Sequence, residues 1–243
     1  MEPDCRKLME NGRLYLIPAP LSDSAVSDYI PAKVRDVVNS LRYFVVEDLR
    51  TARRYISRLK TDTPIDGLNF SLFNEHTDIK TVSMLLDPVF QGYDLGLLSD
   101  AGMPCIADPG EELVRAAHSS GVTVIPLAGP SSIFMALTAS GLSGEKFSFE
   151  GYLPAKVPDL IKTLRKLEQQ SRQDNQSRIF IETPYRSAKM FETVLNTCSP
   201  DTLLCVACDI TSPGEFIKTL QVREWKKNIP QINKKPCIFI LQA

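Results

Sequence analysis

The chain has 243 residues, 43% hydrophobic and 23% charged, with a formal net charge of −1. That length is enough for one large or two small packed cores. The near-neutral balance excludes bulk electrostatic coating of nucleic acid but leaves room for a local basic patch. No apolar run reaches the ~20 residues of a membrane span. The opening "MEPDCRKLMENGR" lacks the apolar core of a secretion signal. Both features point to a cytoplasmic protein.

Strand-like and helix-like patterns alternate along the first half. "RLYLIP" (13–18) reads as a strand, and "IPAKVRDVVNSLR" follows with helical spacing through Val34, Val37, Val38 and Leu41. "YFVVED" (43–48) and "TARRYISRLK" repeat the pair. "LNFSLF" (68–73) precedes a helix over "IKTVSMLLDPVFQG", and "DLGLLSD" precedes "EELVRAAHSSG". "VTVIPL" (122–127) is the fifth strand. Strands separated by helices predict a parallel sheet with crossovers, and apolar runs such as "LGLL" and "VTVIPL" predict burial on both faces.

The second half differs. After a helix over "SSIFMALTASG", "KFSFEGYLP" is a short strand and "DLIKTLRKLEQQSR" an amphipathic helix. "RIFIET", "TLLCVACDI", "EFIKTL" and "KPCIFILQ" are strands, with one clear helix over "YRSAKMFETVLN". Consecutive strands imply antiparallel pairs and a mixed sheet. The expected division is 1–128 and 129–243.

Six cysteines are present, mostly in or beside apolar stretches, which reads as small hydrophobes rather than a disulfide framework. Cys205 and Cys208 form C-x-x-C, but residues three apart on a strand face opposite ways. With no second Cys or His pair nearby, no metal site is expected.

The stretch "LLSDAGMPCIADPG" (97–110) follows an apolar strand with rigid, polar turn chemistry. Ligands of parallel sheets bind beyond the carboxyl ends of the strands. Asp108, Pro109 and Glu111 read as N-cap, N1 and N3 of a capping box. Asp100, ahead of Ala-Gly, suits either a ligand's ribose hydroxyl or ammonium, or a turn cap. "PLAGPSS" (126–132) repeats the pattern, with Ser131 or Ser132 capping a helix whose N-terminus offers free N–H groups to an anion.

"SDAGMPCIADPG", "VIPLAGPSSIFMALTASGL", "FSFEGYLP" and "FIETPYR", in that order, resemble the tetrapyrrole methylase superfamily. Within it they are most similar to the bacterial 16S rRNA cytidine ribose 2′-O-methyltransferase branch. "EDLR" (47–50) resembles that branch's E-D-T-R, and "LFNEH" (72–76) its His- and Asn-rich segment.

The resemblance implies S-adenosylmethionine held in a cleft between two α/β domains of a homodimer. By position, the cofactor would meet Leu21, Asp100, Met103, Ser131, Ser132 and Ile133. Thr183, Ala207 and Pro236 would approach it from the second domain. The branch's glycine-rich A-T-P-I-G-N-L-G-D loop is replaced by "APLSDSAVSD", which keeps the final Asp28 and has no glycine. Its late Lys-Gly-Glu is replaced by "KKP".

A ribose hydroxyl is a poor nucleophile while protonated, so a general base helps. Asp48, Glu47, Glu75 and His76 are the candidates at strand ends, Asp48 first among them, and each also suits a surface or capping position. Arg50, Arg53, Arg54, Arg58 and Lys60 are five basic residues in eleven, suited to RNA phosphates or to a solvated helix face. Lys156, Lys162, Arg165 and Lys166 form a second basic group. Asp28, Glu75 and His76 complete the candidate substrate residues. Arg186 matches a family arginine and suits pinning a strand to its helix. The expected activity is methylation of rRNA ribose. The alternatives are a methyltransferase of a tetrapyrrole-like small molecule or a protein, and a cofactor-binding paralogue without catalysis.

Overall fold

A computed structural model describes residues 11–24, 26–74 and 77–243. The chain forms two compact units, the first ending at Pro130 and the second spanning Ser131–Ala243.

The first unit is a five-stranded parallel sheet of β1 (Leu14–Ile17), β2 (Tyr43–Val46), β3 (Asn69–Leu72), β4 (Leu95–Leu98) and β5 (Val124–Pro126), in the order β3-β2-β4-β1-β5. Its helices are α1 (Val26–Tyr29), α2 (Ala32–Ser40), α3 (Leu49–Leu59), α4 (Asp87–Phe90) and α5 (Glu111–Ser119). Alternation within the strands separates two cores. Ile17, Phe44, Val46 and Leu98 meet Val34, Val38, Tyr55 and Ile56 from α2 and α3. Leu14, Val45, Leu95 and Leu97 meet Val82, Leu86, Val89 and Leu113 on the other face. Ile56 is fully buried, so truncating it to alanine costs about 3 kcal/mol.

Register fixes where the loops emerge. Ile17 and Val46 both align with Leu98. The chain therefore leaves β1, β2 and β4 at one level, and residues 18–24, 47–50 and 99–110 converge at the carboxyl edge.

Three expectations need correction here. Residues 79–92 do not form one α-helix: Ile79–Leu86 is 3₁₀, and α4 restarts with Pro88 in its first turn. Proline lacks the N–H and clashes with the preceding turn, so a continuous α-helix cannot pass through it. "VTVIPL" is not buried on both faces, because β5 is an edge strand with Pro126 exposed, the position proline tolerates. Asp108 does not cap α5. The N-cap is Gly110, at φ +143°, and no side chain caps it. A Cβ on Gly110 would lie 2.6 Å from Cys105 Sγ and 2.9 Å from Leu97 Cδ2, so this close turn requires glycine.

The second unit carries α6 (Ser132–Ser140), β6 (Phe147–Tyr152), α7 (Val157–Asp174), β7 (Ser177–Glu182), α8 (Ser187–Thr197), β8 (Leu203–Cys208), β9 (Phe216–Gln221), α9 (Val222–Trp225) and β10 (Cys237–Gln242). The sheet order is β6-β7-β10-β8-β9, with β6 and β7 parallel and the other pairs antiparallel. One face packs Phe180, Phe239, Leu204 and Val206 against Leu164 of α7, Val194 of α8 and Trp225 of α9. Trp225 Nε1 donates to the Leu204 carbonyl at 2.8 Å, which satisfies its buried N–H. The short α9 has no apolar period to announce it; the Gln221 N–H donates to Glu224 Oε2 at 2.9 Å and closes its first turn.

On β8, Cys208 belongs to this core and Cys205 does not, in keeping with strand alternation. Cys208 does have a cysteine neighbour: antiparallel pairing sets Cys237 directly across from it, a proximity that 29 residues of sequence separation hid. Among the described residues, no group of three or more His, Cys, Asp or Glu is placed to hold a metal ion. No helix among them is long and apolar enough to cross a membrane.

Candidate functional site

The site is built at the carboxyl edge of the first sheet. Ala19 and Gly102 exchange backbone hydrogen bonds of 2.8 and 3.0 Å, tying the loop after β1 to the loop after β4. Gly102 is left-handed, at φ +75°, and a Cβ there would meet Leu21 Cδ2 at 3.3 Å. The missing side chain keeps the space beside Leu21 open. From below, buried Tyr55 donates to the Pro18 carbonyl at 2.8 Å, and burial raises its phenol above the ordinary value.

These loops and α3 enclose a cavity of about 520 Å³, within the size range of small-ligand sites. Leu21 and Asp100 line it, with Ser22, Asp23, Arg50, Arg54 and Arg58. Met103 lies next to Gly102, half-buried.

Three carboxylates near this edge differ sharply. Asp48 is the N-cap of α3, accepting the Thr51 N–H at 2.8 Å. That bond, with Thr51's side chain and Arg50 assisting, holds it below the usual carboxylate range. Asp48 is therefore engaged as the helix cap, the structural alternative to its candidate role as a base, and a carboxylate stabilised by a helix N-terminus gains less from taking a proton. Asp100 is shifted the opposite way, by desolvation first and by the Asp48 charge second. Asp108 is pushed up to about 6 by burial, with Ser99 opposing and Asp100 adding to the shift. Glu47 is half-buried just after β2.

The basic run on α3 divides by helical spacing. Arg50, Arg54 and Arg58 follow one another at i, i+4 and i+8 and all line the cavity. Arg53 faces elsewhere, 2.6 Å from Asp66 Oδ1 and over the Phe70 ring. Arg54 and Arg58 reach Asp23 Oδ1 at 3.0 and 3.5 Å. Arg58 also donates to the Asp23 and Ser24 carbonyls. The glycine-free loop is thus shaped by side-chain bonds, including Ser22 Oγ to Ser24 Oγ at 3.0 Å. Asp23 was missed in the sequence, and Arg58 was counted only as part of the basic run; the four-residue spacing of the arginines was the available clue to its side of the helix. Asp28 is exposed on α1 and does not line this cavity. Glu75 and His76 lie outside the described residues.

In the second unit, Ser131 is the N-cap of α6 but its hydroxyl makes no capping bond. Ser132 and Ile133 open that helix. Thr183 follows β7, Pro236 precedes β10 and Ala207 is fully buried on β8. The register places Cys237 opposite both Glu182 and Cys208, so Thr183, Ala207 and Pro236 gather at one sheet end. Ser187 Oγ donates to the Lys235 carbonyl at 2.6 Å and braces the turn before Pro236. Arg186 pairs at 2.8 Å with the fully buried Glu182 carboxylate, joining α8 to β7. Lys162, Arg165 and Lys166 are exposed on α7, with Lys156 just before it.

A family model for tetrapyrrole (corrin/porphyrin) methylases matches residues 13–225. This chain belongs to the tetrapyrrole methylase family. Ribosomal RNA small subunit methyltransferase I of Vibrio cholerae serotype O1 is 32% identical over 220 residues, which cover 90% of this chain and 72% of that protein. Its counterpart in Escherichia coli O157:H7 is 29% identical over 237 residues, covering 96% and 78%. Among solved structures, the methyltransferase CobJ aligns with a TM-score of 0.63 at 17% identity, over 96% of this chain and 94% of that one. Uroporphyrin-III-C-methyltransferase from Thermus thermophilus aligns at 0.56 and 16%, over 95% and 92%. Those two likenesses establish the shared fold: a parallel first sheet and a mixed second one. This tetrapyrrole methylase is accordingly a methyltransferase, and the family's methyl donor is S-adenosylmethionine.

Proposed function

We propose that this tetrapyrrole methylase transfers a methyl group from S-adenosylmethionine to a ribose 2′-hydroxyl of ribosomal RNA. The observation that carries the reading is the cavity after β1, β2 and β4. It joins Leu21 and Asp100, at family cofactor positions, to three arginines suited to a nucleic-acid backbone. The names of the relatives near 30% identity support small-subunit ribosomal RNA as the acceptor.

When bound, S-adenosylmethionine supplies a methyl carbon made electrophilic by its sulfonium. The residues present fit such a group: Gly102 leaves room beside Leu21, and Asp100 offers a carboxylate to a hydroxyl or ammonium. We assign Leu21, Asp100 and Met103 of the first unit to cofactor binding. In the second unit the same reading assigns Ser131, Ser132, Ile133, Thr183, Ala207 and Pro236. Arg50, Arg54 and Arg58 hold acceptor phosphates, and alignment of the hydroxyl supplies most of the acceleration. Because Asp48 is engaged as a cap, Glu47 is the candidate acceptor for the hydroxyl proton. The working form is a homodimer, and a ribosomal acceptor places the reaction in the cytoplasm.

The test is incubation of the full chain with labelled S-adenosylmethionine and small-subunit rRNA, followed by nucleoside digestion. A 2′-O-methylated nucleoside is expected, with Glu47→Gln lowering kcat far more than it raises KM. Label in an added tetrapyrrole and none in RNA would reverse the choice of acceptor.

A further inference from the structure

The arginine cavity already contains an anion of its own. Asp23 Oδ1 lies 3.0 Å from Arg54 Nη2 and 3.5 Å from Arg58 Nη1. Two guanidinium groups one helical turn apart thus converge on a single oxygen, as they would on a phosphate oxygen. We infer that Asp23 occupies the place of an RNA backbone phosphate, and that RNA binding exchanges the carboxylate for the phosphate. The inference rests on the RNA reading above and names the group that the substrate must displace.

The exchange is physically easy. The side chains of Asp23 and Arg54 are 75% and 66% exposed, and ion pairs that open to water contribute little. Swinging Asp23 aside does not disturb the frame, because Arg58 is held independently by the Asp23 and Ser24 backbone carbonyls. Arg58 is also the most enclosed of the three, at 28% exposure. It is the fixed member of the pair, and Arg54 the one that follows the anion. Arg50, one turn back, lines the same cavity and is placed for the next phosphate.

Asp23 lies in "APLSDSAVSD", the segment without glycine. Its carboxylate cancels part of the cavity's positive charge while no RNA is present. It therefore weakens binding of any polyanion and leaves selection to contacts beyond the phosphate. Three arginines face two carboxylates, Asp23 and Asp100, along the cavity lining.

The test is fluorescence anisotropy of the full chain with a fluorescein-labelled single-stranded RNA about a dozen nucleotides long, over a salt series. Wild type, Asp23→Asn and Arg54→Gln are compared. Asp23→Asn should bind about fivefold tighter, the equivalent of removing a competing surface ion pair of about 1 kcal/mol. It should also show a steeper salt dependence, because the arginines then bring solution counterions that RNA releases. Arg54→Gln should bind more weakly, with the slope reduced by about 0.7. Thermal melts of both variants report folding directly.

Unchanged or weaker binding by folded Asp23→Asn would overturn the inference. So would absence of RNA binding by all three proteins, or Asp23-dependent binding of a polycarboxylate porphyrin without RNA binding. Methyl transfer separates the two readings. Methylated RNA with an indifferent Asp23→Asn defeats the exchange alone. Tighter RNA binding by Asp23→Asn with no RNA methylated defeats the acceptor assignment alone.

Discussion

The Asp48 carboxylate accepts the Thr51 N–H at 2.8 Å and closes the first turn of α3. A helix-capping role and a proton-accepting role predict different outcomes at this residue. Asparagine caps about as well as aspartate, whereas alanine costs about 1 kcal/mol. Asp48→Asn should therefore keep methyl transfer within about threefold of wild type, and Asp48→Ala should lower the melting temperature. A general base replaced by its amide would instead lose a hundredfold or more. Steady-state kinetics of the two variants decide between these outcomes.

Gly110 supplies the backbone angle that starts α5, and its missing Cβ leaves room for Cys105 and Leu97. Gly110→Ala should destabilise the protein by about 2–4 kcal/mol, from left-handed strain and overpacking together. Denaturant unfolding measures this. The stretch after β4 should loosen first in hydrogen exchange.

Asp108 carries a stability signature in pH. Its pKa is raised from 3.8 to about 6 in the fold. Between those values the folded protein retains a proton that the unfolded chain has released. Stability from this group is therefore present at low pH and falls as pH rises through about 6. Asp108→Asn should be more stable than wild type above that point by about 1 kcal/mol, after discounting for solvent screening. The advantage should vanish below about pH 4. Melting curves across this range test the sign.

Glu182 is buried with its charge facing Arg186 at 2.8 Å. Arg186→Met strands that charge and should cost about 3 kcal/mol. Adding Glu182→Gln to the same chain should restore much of the loss. A double-mutant cycle by thermal melting isolates the coupling.

Both sheets were legible in the sequence because their patterns are local. Alternation of helix and strand gave the parallel sheet, and consecutive strands gave the mixed one. The failures arose where backbone geometry or remote pairing decides. Pro88 divides a segment whose apolar spacing alone suits one helix. Asp108 sits in a capping-box pattern, but positive φ at Cys105, Ala107 and Gly110 turns the chain before α5. The Cys208–Cys237 pairing depends on strand order, which spacing does not encode.

The candidate site came from the resemblance to the tetrapyrrole methylases, which implied Leu21 and Asp100; both line one cavity. The arginine run was visible as composition. Its division into Arg50, Arg54 and Arg58 on one side and Arg53 on the other follows from 3.6 residues per turn. Asp23 gave no indication, since its role comes from a loop folding onto α3.

The most direct test of the account is calorimetric titration of S-adenosylmethionine into the wild-type chain and Asp100→Ala. The account predicts binding by wild type, sharply weakened by removal of the Asp100 carboxylate, with both proteins equally folded. Binding of equal strength in the two would contradict the placement of the cofactor beside Leu21 and Asp100.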